Sequence, residues 1–300
     1  MQIGIDVGAT KIESVVLEED GNEKHRSRTD CPKDYLSIIS TIKDIHHNLE
    51  KEFQKELPIG VCHPGIHSPQ TGLVKNAPNC YWLEKKPFQS DLRKALGKEV
   101  FCENDANCFA LSEAIDGAGK HYKIVYGIIL GSGAGGGLVI DKQIVSGPNG
   151  VAGEWGHNQI PYFAAKKENF NSNNAREAEV ESFISGLGMA KRFNKIYGKN
   201  LKTNEIFELY RRHDLDAERF VDDFKLNLAM SLSTIINILD PDAFVFGGGV
   251  SNEIDFLSEI EKMVKKFVIG KEYDGVFLKP KYGDASGVRG AARLGRRTIY

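Results

Sequence analysis

The chain has 300 residues, 41% hydrophobic and 27% charged, with a formal net charge of −2, which suits a globular protein large enough for two domains and argues against a nucleic-acid surface as its main business. No apolar run approaches membrane-spanning length, and the first one carries Asp6 and lacks the basic start of a signal peptide. The five cysteines, Cys31, Cys62, Cys80, Cys102 and Cys108, are scattered without a C-x-x-C pair, so the expectation is a cytoplasmic protein with reduced thiols.

Residues 1–7 read as a strand running into Asp6-Val7-Gly8-Ala9-Thr10, with a return strand over 12–17. Residues 22–29 are polar enough for an edge strand. A helix is predicted over 34–56, where Leu36, Ile39, Ile42, Ile45 and Leu49 recur at helical spacing. A short strand over 58–62 ends in His63-Pro64-Gly65, a helix covers Phe88–Leu96, and a strand over 99–102 ends in Glu103-Asn104-Asp105 before a helix over 106–114. The order then repeats. Strands over Ile124–Leu130 and 136–146 flank Gly131-Ser132-Gly133-Ala134-Gly135-Gly136-Gly137. After a long excursion with helices over 183–193 and 216–239, a strand over 242–246 ends in Gly247-Gly248-Gly249. A helix over 254–267, a strand over 276–279 and a helix over Ser286–Leu294 close the chain.

Both halves therefore read β-β-β-α-β-α-β-α. In a doubly wound dinucleotide fold the first glycine turn would open a helix, but residues 12–17 are rich in Val and Ile and read as a strand. Paired halves of this kind are the pattern of the two-lobed actin-like, RNase-H-like ATPases. The expected division is 1–115 for the N-terminal lobe, with a last helix of about 286–300 packing back on it, and 116–285 for the larger C-terminal lobe.

The chemistry-bearing residues sit at strand ends. Glycine turns let backbone N–H groups approach an anion closely, and two in matching places suggest two jaws on one phosphate chain. Asp6, Gly8 and Thr10 would then supply a carboxylate near Mg²⁺, directly or through water, and a hydroxyl on phosphate oxygens. Gly247, Gly248 and Gly249 leave an open surface where a nucleoside can lie. Asn104-Asp105 is an N-cap on local grounds, and in a kinase Asp105 would also take the proton of an attacking hydroxyl. Glu154 and His157, in Gly153-Glu154-Trp155-Gly156-His157, and Glu181 downstream form a donor and acceptor cluster suited to vicinal hydroxyls.

Together these pieces resemble the ROK family of bacterial sugar kinases. The motifs are DVGATK at 6–11, CHPG at 62–65, KNAPN at 75–79, ENDANCFALSEA at 103–114, LGSGAGGG at 130–137, GEWGH at 153–157, ESFISG at 181–186, NILDPDAFVFGGGVSN at 237–252 and GDASGVRGAA at 283–292. The resemblance spans nearly the whole chain. It implies Asp105 as general base and Gly65, Asn104, Glu154, His157 and Glu181 at the sugar. It further implies Asp6, Gly8, Thr10, Lys11, Ser132 and Gly133 at the phosphates, and Gly247, Gly248 and Gly249 at the adenosine. ATP and Mg²⁺ are the implied cofactors, a hexose 6-hydroxyl the implied acceptor and a homodimer the common family state; nucleic acid and membrane are not expected partners.

EWGHNQIP, ESFISG and GDASGVRGAA resemble the fructokinase/mannokinase branch, and N-acetylglucosamine kinases, the alternative, usually carry Phe where Trp155 stands. NDANCFALSEA is shared by both. A sugar-responsive transcription regulator, also found in the family, would need a helix-turn-helix ahead of DVGAT, which begins at residue 6. A non-catalytic sugar binder is the remaining reading.

One departure stands out. The family's Cys-x-Cys-Gly-x-x-Gly-Cys-x-Glu segment, whose cysteines bind Zn²⁺ together with the His of GEWGH, is replaced here by residues 172–181, with Ser172, Asn174 and Glu179 at the cysteine places. Only His157 and Glu179 remain as donors, so no structural zinc is expected. Arg176, beside Glu177 and Glu179, is a candidate to replace the metal charge, and 166–174 is an expected mobile loop. Ala9 for Gly and Ser132 for Thr are smaller departures.

Overall fold

A computed structural model describes residues 1–160 and 175–295. In the first half, β1 (Gln2–Val7) and β2 (Lys11–Leu17) form a hairpin that β3 (Glu23–Asp30) extends antiparallel. Helix α1 (Tyr35–Phe53) buries Ile38, Ile42, His46 and Leu49, one stripe at helical spacing, and the Asp34 carboxylate caps it by accepting from Ser37 N at 2.9 Å. Strand β4 (Ile59–His63) runs parallel beside β1. The short hairpin β5 (Ile66–His67) and β6 (Val74–Lys75), helix α2 (Phe88–Leu96), strand β7 (Val100–Asn104) and helix α3 (Asp105–Ile115) follow. The sheet order is β3-β2-β1-β4-β7.

The second half repeats it. Strands β8 (Ile124–Leu130), β9 (Ala134–Ile140) and β10 (Gln143–Ile144) are antiparallel. Then come helices α4 (Glu181–Ile184), α5 (Gly186–Tyr197), α6 (Thr203–Arg211) and α7 (Leu215–Leu239), strand β11 (Ala243–Gly247), helices α8 (Gly249–Glu253) and α9 (Leu257–Val264), strand β12 (Val276–Leu278) and helix α10 (Ser286–Leu294). The order β10-β9-β8-β11-β12 matches the first sheet strand for strand. The helical excursion packs on this sheet through fully or nearly fully buried Phe183, Phe193, Phe207, Phe220 and Phe224, each ring contributing about 1.5–3 kcal/mol by leaving water.

The two halves exchange helices. Helix α3 packs on β8 and β9 of the second sheet, whereas α10 packs on β1, β2 and β4 of the first, and the two helices lie against each other. Such close approach needs glycine. A Cβ on Gly290 of α10 would overlap the Cys108 carbonyl of α3, and one on Gly60 of β4 would overlap the Ala291 carbonyl of α10.

Several elements differ from the sequence expectation. The helix over 183–193 is broken at Ser185, which turns extended and caps α5 by accepting from Gly188 N at 3.1 Å. The strand over 136–146 begins earlier and divides where Asp141 and Lys142 adopt φ of 50° and 64°, a tight turn between β9 and β10. The helix over 254–267 shrinks to α9 because Ile254 is extended and Phe256 is not helical. Helix α6 had no predicted counterpart. The last helix is described to Leu294, and residues 296–300 of its expected span lie outside the described residues.

Candidate active site

Parallel pairing puts the ends of β1, β4 and β7 side by side, with Asp6 opposite Cys62, Cys62 opposite Glu103 and His63 opposite Asn104. Loops from parallel strand ends form the crevice of an open α/β sheet. Asn104 caps α3, its Oδ1 accepting from Ala106 N at 2.8 Å and Asn107 N at 3.3 Å, while its Nδ2 donates to Gly65 O at 3.0 Å. That last bond joins Gly65 to the strand end, so the side chain that caps α3 also fixes the loop beside it. Asp105 is the first residue of the helix, and its Oδ1 accepts from Ala106 N at 2.8 Å. Burial raises its pKa above the usual carboxylate value, against the pull of those backbone hydrogen bonds.

Asp6 faces the same crowding. Burial, and next the Asp105 charge, push its pKa up to about 7, with the Cys62 thiol bond opposing. A carboxylate raised in the folded state loses stability for the apoprotein as pH climbs from the unfolded value through the folded one. Asp6→Asn is therefore expected to raise the apo melting temperature by an amount that grows as pH climbs from the unfolded value of 3.8 and levels off above about 7, and to leave it unchanged only below that unfolded value, where both states are neutral. A thermal-shift series across pH checks this, and no gain above that pKa would contradict it. The same crowding fits an incoming divalent cation, which relieves repulsion between two carboxylates. Thr10 and Lys11 are exposed at the mouth of this hairpin, whose turn is closed by Gly8 N donating to Lys11 O at 2.9 Å.

The Glu154 carboxylate is raised by burial and further by Asp105 and Glu181, with His157 acting the other way, so these groups share one electrostatic neighbourhood. His157 Nε2 lies 3.9 Å from Glu154 Oε2 and its Nδ1 2.9 Å from Glu179 Oε2. Burial alone would lower the His157 pKa, but the Glu179, Glu154 and Glu181 carboxylates overcome it and hold it above the usual value. Glu181 Oε2 accepts from Ala134 N at 2.8 Å, reaching into the second glycine turn. Trp155 is buried with its indole N–H donating to Gly135 O at 2.9 Å. It braces that same turn, so the residue that separated the two sugar-kinase branches in the sequence has a packing role.

The second turn docks on a helix. Gly131 N donates to Gly133 O at 3.0 Å, and Gly186 N at the start of α5 donates to Gly131 O at 2.8 Å. Ser132 stays exposed at the tip. Gly248 holds φ at 86°, and a Cβ there would press on Leu130 O, so only glycine suits both its conformation and its space. Gly249 has open space around its Cα, and Gly247 O accepts from Ser251 Oγ at 2.6 Å. Around these turns lies a cleft of about 770 Å³ lined by Gly131, Ser132, Gly186, Leu187, Ala190, Leu201, Lys202, Thr203, Asn204, Gly249, Val250, Asn252 and Glu253. Its volume suits a nucleoside.

Sequence reasoning placed Ser132 and Gly249 here but missed the wall from α5 and α6. Thr203 Oγ1 donates to Gly186 O at 2.6 Å, tying α6 to the helix start under the turn. The available signal was Ser185-Gly186-Leu187-Gly188, a capping serine among glycines.

The zinc that the family resemblance implied finds no ligand set in the described residues. No group of three His, Cys, Asp or Glu is placed to hold a metal there, and all five cysteines are buried elsewhere. Ser172, Asn174 and the expected loop over 166–174 lie outside the described residues. Glu179 takes His157 as its ion partner, where the sequence had offered Arg176 for that part.

The two duplicated half-sheets with glycine turns at their strand ends define a two-lobed nucleotide-cleft protein of the actin-like fold, and solved ROK structures share it. A ROK hexokinase from Thermus thermophilus superposes with a TM-score of 0.86 at 24% identity, covering 97% of this chain and 96% of the other. A ROK family glucokinase from Streptomyces griseus, in complex with glucose and AMPPNP, gives a TM-score of 0.76 at 26% identity over 98% of this chain and 99% of the other. The ROK family profile matches residues 2–298, and the chain belongs to the ROK family. Among its relatives, the N-acetyl-D-glucosamine kinase of Pasteurella multocida is 36% identical over 304 residues, covering 98% of this chain and 99% of the relative. That of Haemophilus influenzae is 37% identical over 302 residues, covering 98% and 99%.

Proposed function

We propose that the protein is an ATP-dependent sugar kinase acting on an N-acetylhexosamine, N-acetylglucosamine foremost, at its 6-hydroxyl. The observation that carries the reading is Asp105, a carboxylate fixed at a strand-to-helix junction with Asn104 and Gly65 beside it and the Glu154, His157 and Glu181 cluster facing it. The nucleotide-sized cleft is lined by Gly131 and Ser132 of the second glycine turn. The named relatives support the N-acetylhexosamine choice. They favour it over the fructose and mannose type read first from the motifs EWGHNQIP, ESFISG and GDASGVRGAA.

In the mechanism, Glu154, His157 and Asn104 hold the sugar hydroxyls, and Asp105 accepts the proton of the attacking hydroxyl. The sugar oxygen bonds the γ-phosphorus as the bond to the β–γ bridging oxygen breaks, and ADP leaves. The turns at Gly8–Thr10 and Gly131–Gly133 present N–H groups and hydroxyls to the phosphate oxygens, and Lys11 adds a cation at the first. Asp6 is the residue placed to receive the magnesium of the MgATP substrate. That ion supplies charge neutralisation on the phosphates. We propose that the lobe of 1–115, with α10, closes on 116–285 to exclude water.

A coupled ADP-release assay across N-acetylglucosamine, glucose, mannose and fructose tests the reading. The highest kcat/KM is expected for N-acetylglucosamine. A fructose or mannose preference would restore the first branch, and no turnover with any sugar would leave a sugar binder.

A further inference from the structure

We propose that a clasp made by the chain itself, with Glu179 as positioning residue, holds the sugar-side glutamates in the place where relatives of this family use a metal. Residues 158–160 and 178–180 form a two-rung antiparallel ladder. Ile160 N donates to Ala178 O at 2.7 Å, Val180 N donates to Asn158 O at 2.8 Å, and Gln159 bridges Glu179. Glu179 is the hub. Its backbone sits in the ladder, its carbonyl accepts from Ser182 N at 3.0 Å, and its carboxylate takes His157 Nδ1 at 2.9 Å.

With 16% of the Glu179 side chain exposed, against 42% for His157, the pair has a fixed inner member and a more exposed outer one. A histidine whose Nδ1 faces a carboxylate has its ring orientation set by that partner, which leaves Nε2 on the Glu154 side. That nitrogen edge is also what a zinc ion would need, and a tetrahedral site needs three further donors. The described residues hold no such group.

The clasp reaches further than the histidine. Two residues beyond Glu179, Glu181 accepts from Ala134 N in the second glycine turn. A Cβ on Gly133 would press on that same carboxylate. One three-residue stretch therefore ties the sugar-side cluster to the phosphate-side turn, and the ladder sets its register. A carboxylate–imidazole pair plus two backbone hydrogen bonds can hold such a stretch without metal.

The test has a metal arm and a kinetic arm. Elemental analysis of the purified chain is expected to find no stoichiometric zinc, and treatment with a zinc chelator followed by restored Mg²⁺ is expected to leave turnover unchanged. Glu179→Gln is expected to raise the sugar KM on the order of tenfold, with the ATP KM unchanged, kcat changed less and the melting temperature near wild type. One zinc per chain whose removal abolishes sugar affinity would overturn the proposal, and so would an unchanged sugar KM in Glu179→Gln. If that variant fails to fold, the metal arm on the wild type decides. The kinetic arm rests on the sugar-kinase reading. Should no sugar be phosphorylated, calorimetric sugar affinity replaces KM, while the metal arm stands by itself.

Discussion

Asp105→Asn is expected to lower kcat by about 10²–10⁴-fold, the span that positioned proton transfer contributes, while sugar affinity changes little. The amide keeps the acceptor oxygen that takes Ala106 N at 2.8 Å, so the start of α3 is preserved and only the proton acceptor is lost. The pH profile carries the sign. Proton acceptance needs the carboxylate, and burial raises the Asp105 pKa, so wild-type kcat falls with acidification at a higher pH than an exposed aspartate would give. The acid limb should vanish in the variant. Single-turnover kinetics with calorimetric sugar binding checks both statements, and full turnover in Asp105→Asn would remove the residue from its assigned role.

The largest effect on stability is expected at Glu113, far from the chemistry. Its side chain is fully buried near the end of α3. Its carboxylate accepts from Ala118 N at 2.8 Å, Lys281 N at 3.0 Å, Tyr282 N at 3.3 Å and Ser286 Oγ at 2.7 Å. Three of these partners belong to the segment that leads into and starts α10, so one side chain fastens the two exchanged helices. Glu113→Ala leaves the buried Ser286 hydroxyl and three part-buried backbone N–H groups without this acceptor, at roughly 1–3 kcal/mol for each that stays unpaired and dry. Partial relaxation and water entry bring the expected total to about 3–5 kcal/mol, the range for breaking a buried charged network. Glu113→Gln should fall between, since its amide keeps one acceptor but turns an N–H toward other donors. Urea unfolding of both variants measures this. A loss in Glu113→Ala no larger than an ordinary surface substitution would contradict it. Asp116, which takes Arg289 at 3.3 Å and also Arg293, gives the same junction a second tie.

The parts of the fold that the sequence revealed are those written in neighbouring residues. Both glycine hairpins, the Asn104 cap and α10 follow from local pattern, and their observed spans differ by a residue or two at most from the reading, apart from β9 and β10. The duplicated order was legible because each half spells it separately. What was hidden depends on residues far apart in sequence. Glu181 was expected among sugar ligands, and its bond to Ala134 N, spanning 47 positions, has no local signature. The part Trp155 plays in bracing the second glycine turn was hidden because a motif records which residue is present and not which atom it touches. The α5–α6 wall of the cleft was missed because Thr203 matters through its hydroxyl on Gly186, seventeen positions away. Helix α6 itself is short, and only Ile206 and Phe207 are buried in it, too few to stand out as a stripe.

The exchanged helices also set a timetable. The face of the first sheet that α10 covers, along β1, β2 and β4, is complete once His63 is made, whereas its cover ends at Leu294. At about 5–20 residues per second, that face waits roughly tens of seconds on the ribosome for its partner. During the wait it presents a strip flattened by Gly4 and Gly60, which carry no side chain to shield the strands. A chain cut before Ser286 would lose the cover of its first sheet, so the integrity of β1, β2 and β4 is decided by a helix made long after them.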